Sequence, residues 1–264
     1  MVAVIIPLYK EHPSRFDLIS IKQCLSILFD YPIIVIKPKS LSLKQYPFVF
    51  TEVLSLDDDI FKDIASYNKL MMSVSFYELF LKYEYILIHQ TDAFVFRDEL
   101  NAWCEKKYDY IGAPWLYQGL YPDFIKKAKE ELKGYLSRTL NEKQEGTDLP
   151  SLRQLEKRVG NGGLSLRKIS KFFELCKENV KVINTYLGRS EHVFNEDVFW
   201  SIEINRRKTQ LKIPSYRKAA YFSIESYPEA AMVLTKGQLP FGCHAWDKNI
   251  DFYRSIFATY GYSI

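Results

Sequence analysis

Four short stretches place acids, amides, glycines and an imidazole where folded chains often hold ligands. Asp92 stands between the apolar runs Tyr85-Ile86-Leu87-Ile88 and Ala93-Phe94-Val95-Phe96, directly after His89-Gln90-Thr91. A charge so close to a buried strand is costly unless something pairs with it. In an open α/β sheet the carboxyl end of a central strand opens onto the ligand crevice. Asp92 is therefore a candidate metal or substrate ligand, the other reading being a turn in which it accepts local backbone N–H groups. Gly160-Asn161-Gly162-Gly163 packs three glycines around one amide. Glycine permits positive φ and close backbone approach, and Asn161 offers donor and acceptor together, which suits sugar hydroxyls. A bend entering the following strand accounts for it equally. Glu196-Asp197 precedes Val198-Phe199-Trp200. Acids in a first helical turn are favoured by the dipole, yet two carboxylates at a crevice can also divide labour, one binding a hydroxyl and one removing its proton. His244 lies between Phe241 and Trp246 and is either a hydrogen-bonded structural residue or a ligand.

Alternating strands and helices must carry these groups. Residues 2–8 form a strand ended by Pro7, since proline cannot donate to a central ladder. Residues 16–29 show a broad apolar helical face, and 32–36 are a second strand. A third strand is expected at 48–54, and a helix capped by Ser66 at 66–82, with Leu70, Val74, Tyr77 and Leu81 stacking at three- and four-residue spacing. This β-α-β-β-α-β order marks an α/β fold with a Rossmann-like, nucleotide-binding half. The phosphate loop G-x-G-x-x-G is missing, which disfavours a dinucleotide oxidoreductase. A charged, helix-prone insert follows at about 118–156, with Lys126–Glu130 and Lys127–Glu131 pairs, and reads as a solvated helical insert or an acceptor-side flap. The expected organisation is one domain over 1–264: a nucleotide-binding half at about 1–115, the insert, and an acceptor and catalytic half at about 157–264.

The 264 residues suffice for a sizeable core, and 47% hydrophobic content excludes a disordered chain. A net charge of +4 without a basic stripe argues against a nucleic-acid partner. The start MVAVIIPLYKEH reads as a strand rather than a secretory leader. Cys24, Cys104, Cys176 and Cys243 lie far apart without a C-x-x-C pair, as free thiols of a reducing cytoplasm do.

Taken in order, an acid at a strand end, G-N-G-G-x-S, Glu-Asp and a late G-x-H-x-W resemble glycosyltransferases of GT-A type. DAFVF, IGAPW, VGNGGLSLR, NEDVFW and LPFGCHAW are similar, more closely, to a bacterial family read as glycosyltransferases. The resemblance runs from Ile5 to Trp246 and is weakest in the insert. It implies a GT-A fold with a mixed central sheet and transfer of a hexosyl unit from a nucleotide-sugar, a UDP-sugar by preference, to a glycan or lipid-linked glycan. It implies polysaccharide biosynthesis in the cytoplasm at the inner membrane face, with peripheral membrane contact. Asp92 matches the second acid of the family's Asp-x-Asp motif and His244 its late histidine, the pair that holds Mn²⁺ or Mg²⁺ on the diphosphate. Gln90 replaces the first acid, which weakens any metal site. Pro7 and Tyr9 match the base and ribose position, with Tyr67 and Lys69 near the nucleotide or sugar. Asn161, Gly162 and Gly163 match the donor-sugar contact. Asp197 matches the base of an inverting displacement and Glu196 an acceptor or sugar ligand, although exchanging the two acids fits the sequence equally well. Two rivals remain. A sugar nucleotidyltransferase ordinarily carries a glycine-rich basic loop where this chain has IPLYKEHP. A non-catalytic binding scaffold has little use for the Glu196-Asp197 pair.

Overall fold

A computed structural model describes residues 1–116 and 124–264, with side chains in the second segment described from residue 129. In chain order the strands are β1 (Val2–Pro7), β2 (Ile33–Pro38), β3 (Glu52–Leu56), β4 (Tyr85–His89), β5 (Phe94–Val95), β6 (Tyr110–Ile111), β7 (Leu164–Lys168), β8 (Ser223–Ile224) and β9 (Gly242–Cys243). Six of them form a sheet in the order β3-β2-β1-β4-β7-β6. The first four are parallel, and β7 runs antiparallel to both β4 and β6. β1 is apolar at every position because both of its faces are covered. Val2, Val4 and Ile6 enter one core cluster, while Ala3 and Ile5 enter the opposite one with Phe76, Phe172 and Trp200. The strand order reverses between β1 and β4, and a crevice opens at their carboxyl ends, the usual ligand position in such sheets.

The first helix, Arg15–Ile27, lies within two residues of its expected span and begins with a capping box between Ser14 and Asp17. Two later expectations need correction. The third strand is Glu52–Leu56 rather than 48–54, an edge strand whose residues alternate between half-buried and exposed. The helix expected at 66–82 is two helices. Asp63, not Ser66, caps Ile64–Met71 by accepting from the Ser66 N–H, and Ser73 starts Val74–Glu78 by accepting from the Phe76 N–H. Phe76, Tyr77 and Phe80 are buried while Leu81 is exposed, so the apolar face rotates at the break.

β5, β9 and β8 form a second, three-stranded sheet. β8 and β9 are parallel and β5 is antiparallel to β9. The residues that follow β8 and β9 therefore emerge beside the residues that precede β5. Glu225, His244 and Asp92 occupy those positions.

The insert contains the helix Phe124–Leu140 and a short turn of 3₁₀ helix, Leu152–Leu155. Arg206 ties both to the body, donating to the Arg138 carbonyl and to Gln154 Oε1. The insert is thus helical, as expected, with one face exposed and the other tied to the body. Lys133 pairs with Glu130 and Lys157 with Glu131. The side chains of Lys126 and Lys127 lie outside the described residues, as does the stretch 117–123. All four cysteines are free thiols.

Candidate active site

A cavity of about 500 Å³ opens at the β1/β4 crevice, lined by Tyr9, Tyr67, Asn68, Gln90, Asn161, Gly162, Gly163, Glu196, Asp197, His244 and Lys248 among others. Six separate pieces of chain thus converge on one space. Pro7 is buried in the β1–β2 register and Lys69 is exposed, and neither lines the cavity. Asp92 reaches it through His244.

His244 draws three side chains to its ring. Its Nε2 lies 3.1 Å from Asp92 Oδ1 and 3.1 Å from Gln90 Oε1, and its Nδ1 lies 3.5 Å from Glu225 Oε1. Burial alone would depress the imidazole, but the two carboxylates outweigh it and lift the pKa to about 10. In return, Asp92 is held below the ordinary carboxylate range: burial pushes it up and the His244 contact more than reverses that. Glu225 thus adds a second carboxylate beside the imidazole, on the ring nitrogen that Asp92 does not meet.

Asp197 behaves in the opposite way. Burial, then the charges of Glu196 and Glu225, raise its carboxyl to about 7, against weaker help from the Val198 N–H. Its neighbour is spoken for. Both carboxylate oxygens of Glu196 are forked by Arg167, at 2.9 and 3.1 Å, and Arg167 also donates to Tyr77 and Ser165. The two acids are therefore not equivalent: Glu196 is locked in an ion pair, and Asp197 has no ion pair among the described residues. Arg167 is fully buried. In sequence it reads as the polar side of an alternating strand, but β7 is covered on both faces and this side enters the aromatic core beneath Tyr110 and Phe172. Asn68 completes the frame, accepting from the Glu196 N–H at 3.1 Å and donating to Asn195 Oδ1 at 3.0 Å.

The glycine-rich loop works differently from the expectation. Asn161 takes the left-handed backbone (φ 43°), while Gly162 and Gly163 do not. Their missing side chains make room for the protein's own groups. A Cβ on Gly162 would collide with Glu196, and one on Gly163 would fall inside the His244 imidazole. Asn161 Oδ1 accepts from the Gly163 N–H at 3.0 Å, and Ser165 donates to the Gly162 carbonyl at 2.9 Å. The hydroxyl of Tyr67 is shut off from solvent and makes no hydrogen bond of normal geometry among the described residues, although the residue lines the cavity beside Gln90.

Glu225, Lys248, Asn68 and Arg167 have no role in the sequence reading. Only Arg167, inside GNGGLSLR, lies in a motif that it singled out. Glu225 and Lys248 acquire meaning only when the small sheet brings them to His244.

The fold is that of GT-A glycosyltransferases. The apo crystal structure of mouse xyloside xylosyltransferase 1 superposes with a TM-score of 0.52 at 11% identity, over 92% of this chain and 96% of that one. The galactosyltransferase LgtC, solved with donor and acceptor sugar analogues, superposes with a TM-score of 0.53 at 12% identity, over 92% of this chain and 86% of that one. The chain itself belongs to the family described as Protein of unknown function (DUF5672), whose model matches residues 50–244. No curated protein matches it by sequence.

Proposed function

We propose that the protein is a glycosyltransferase that moves a hexosyl unit from a UDP-sugar to a glycan or lipid-linked glycan hydroxyl, with inversion. One observation carries the reading. An acid with a pKa near 7 and a clustered imidazole–carboxylate set face one cavity at the β1/β4 crevice of a GT-A fold.

Asp197 is the proton acceptor of the proposed reaction. A base whose pKa lies near the working pH is present in its ionised form and still binds the proton well. It takes the proton of the acceptor hydroxyl as the oxygen attacks the anomeric carbon, and the nucleoside diphosphate leaves from the opposite face. Glu196, held by Arg167, fixes the helix start that carries Asp197 and keeps a negative charge beside it. Asn161 and the Tyr67 hydroxyl supply hydrogen bonds for the donor. Lys248 lies at the cavity edge, where a cation stabilises a leaving diphosphate.

The residues fit a divalent ion. Gln90 Oε1 and Asp92 Oδ1 each lie 3.1 Å from His244 Nε2, so two oxygens and one nitrogen would be available to a divalent ion once the imidazole gives up its proton. Among the described residues no three His, Cys, Asp or Glu side chains are arranged to hold a metal ion, so the set depends on the Gln90 amide oxygen as its third protein atom. Gln90, Asp92 and His244 would hold Mn²⁺ or Mg²⁺, with Glu225 orienting the imidazole. A bound ion supplies Lewis-acid stabilisation of the leaving diphosphate.

The test is release of UDP from a panel of UDP-sugars, with Mn²⁺ or chelator and with candidate glycan acceptors. Release from one sugar, lost in Asp92→Ala, is the expected result. Absence of both nucleotide binding and release, with acceptors present, would replace this reading with the scaffold.

A further inference from the structure

The helix Phe124–Leu140 is built inside out. Leu132, Tyr135, Leu136 and Leu140 recur at helical spacing and are 58%, 59%, 45% and 74% exposed. The face turned to the protein holds Gly134, Ser137 and the half-buried Glu130 and Arg138. Four large apolar side chains on one stripe of a water-facing helix are not ordinary surface scatter. Packing in a monomer would place the stripe against the core, as the helix Ile169–Glu178 does with Ile169, Phe172, Leu175 and Cys176. Leu152, from the adjoining 3₁₀ turn, adds a further apolar side chain at 51% exposure.

Charge indicates what covers this face. The 17-residue helix contains five Lys or Arg against two Glu, a formal +3, in a chain whose total is +4. The two glutamates are already answered by Lys133 and Lys157. Lys129 lies one turn before Leu132 on the exposed side. An apolar stripe bearing a tyrosine, with Lys129 exposed beside it on a helix of formal +3, is the pattern of a helix lying in the plane of a membrane interface, its rings and aliphatic groups in the headgroup boundary and its cations against anionic lipid. Lysine is depleted in protein–protein interfaces, whereas Lys129 stands on the exposed face one turn from Leu132. No helix among the described residues is long and apolar enough to cross a membrane, so the contact is one of lying on the surface.

We propose that the exposed face of the helix Phe124–Leu140 docks onto a bilayer surface bearing anionic headgroups. Its position then bears on the acceptor. The buried side of the helix, at Gly134 and Arg138, lines a second cavity together with Arg158. Arg158 lies three residues before Asn161 of the candidate site, a span of at most about 10 Å along extended chain. Docking would hold the candidate site within reach of the lipid surface, where a lipid-linked glycan is the acceptor that fits. This last step rests on the transferase reading, and the docking itself does not.

The experiment is co-sedimentation of the full chain with phosphatidylcholine vesicles and with vesicles carrying 30% phosphatidylglycerol, roughly a third of the lipid being enough to set a surface potential. Nucleotide release from a soluble donor is followed in parallel. The expected result is binding to the anionic vesicles alone, weakened by salt. Binding should fall at least tenfold in a Leu132→Ser, Leu136→Ser, Leu140→Ser variant that keeps its thermal midpoint and its nucleotide release. A second variant, Tyr135→Ser with Lys129→Glu, should weaken binding separately. Failure of the wild-type chain to bind anionic vesicles would overturn the proposal. So would retention of binding in both variants. Concentration-dependent dimerisation abolished by the triple variant, without vesicle binding, would assign the face to a second copy. Vesicle binding by a chain that neither binds nor releases nucleotide, with glycan acceptors present, would leave the docking standing and remove the transferase reading.

Discussion

Asp197→Asn should make the protein more stable while abolishing its turnover. The carboxyl is raised from its usual 3.8 to about 7 by burial and by the charges of Glu196 and Glu225. With a raised folded-state pKa, the folded protein holds the proton over a range in which the unfolded chain has released it. Its stabilising effect is complete below the unfolded pKa and is lost as pH rises through about 7. A shift of about three units corresponds to roughly 4 kcal/mol by pH 8, of which about 2.5 kcal/mol falls between pH 5 and pH 8. Asp197 is only half-buried, so solvent screening makes these upper values. Asparagine keeps the shape and can accept from the Val198 N–H as Asp197 Oδ1 does at 2.8 Å. Urea denaturation of both proteins at pH 5 and pH 8 measures the effect, and the difference between them cancels the other titrating groups. The variant should gain on the wild type by about 1–2.5 kcal/mol from pH 5 to pH 8, with kcat reduced by at least about 10²-fold, the scale of lost proton transfer. Parallel pH dependences would refute the raised pKa, and near-normal turnover would refute the role. Glu196→Gln provides a cross-check, since removing one of the charges that raise Asp197 should move the rising limb of the pH–rate profile to lower pH.

Acid should unfold the protein partly through His89, which is fully buried with neither ring nitrogen partnered. Burial lowers its pKa from 6.5 to about 4, so its neutral form contributes stability above pH 6.5 that is lost as pH falls toward 4, about 3 kcal/mol in all. His89→Phe should flatten the denaturation midpoint between pH 6.5 and pH 4, and an unchanged acid slope would exclude the group as a cause. Gly163→Ala should displace the His244 imidazole, costing about 1–3 kcal/mol of stability from overpacking. It should also lower nucleotide release, and unimpaired release would show that the His244 position does not matter.

How legible each part was depended on whether its meaning was local. β1 and β4 could be placed because covered parallel strands are apolar at every position, and a polar or proline residue marks each end. β3 was misplaced because an edge strand alternates, and the aromatic residues at 48 and 50 draw the eye to a stretch that is not strand. The break at Ser73 was hidden because Leu70, Val74 and Tyr77 keep a helical spacing across it, although the buried face afterwards turns to Phe76 and Phe80. Asp92, Glu196, Asp197 and His244 could be singled out because each is a polar residue set at an element's end among apolar neighbours. What no local pattern reveals is which of two adjacent acids is free. That is decided by Arg167, one residue of a strand 29 positions earlier, which takes both oxygens of Glu196. It leaves Asp197 the unpaired acid beside a fixed negative charge. The division of labour between the two carboxylates follows from that one buried guanidinium, while the direction of the Asp197 shift follows from burial and from the charges of Glu196 and Glu225, which outweigh the opposing pull of Arg167. Arg167→Met should therefore act on both acids together: freed from its partner, Glu196 would share a proton with Asp197, and the single rising limb of the pH–rate profile would broaden into two steps. A sharp, unshifted limb in that variant would mean that the fork sets only the shape of the site.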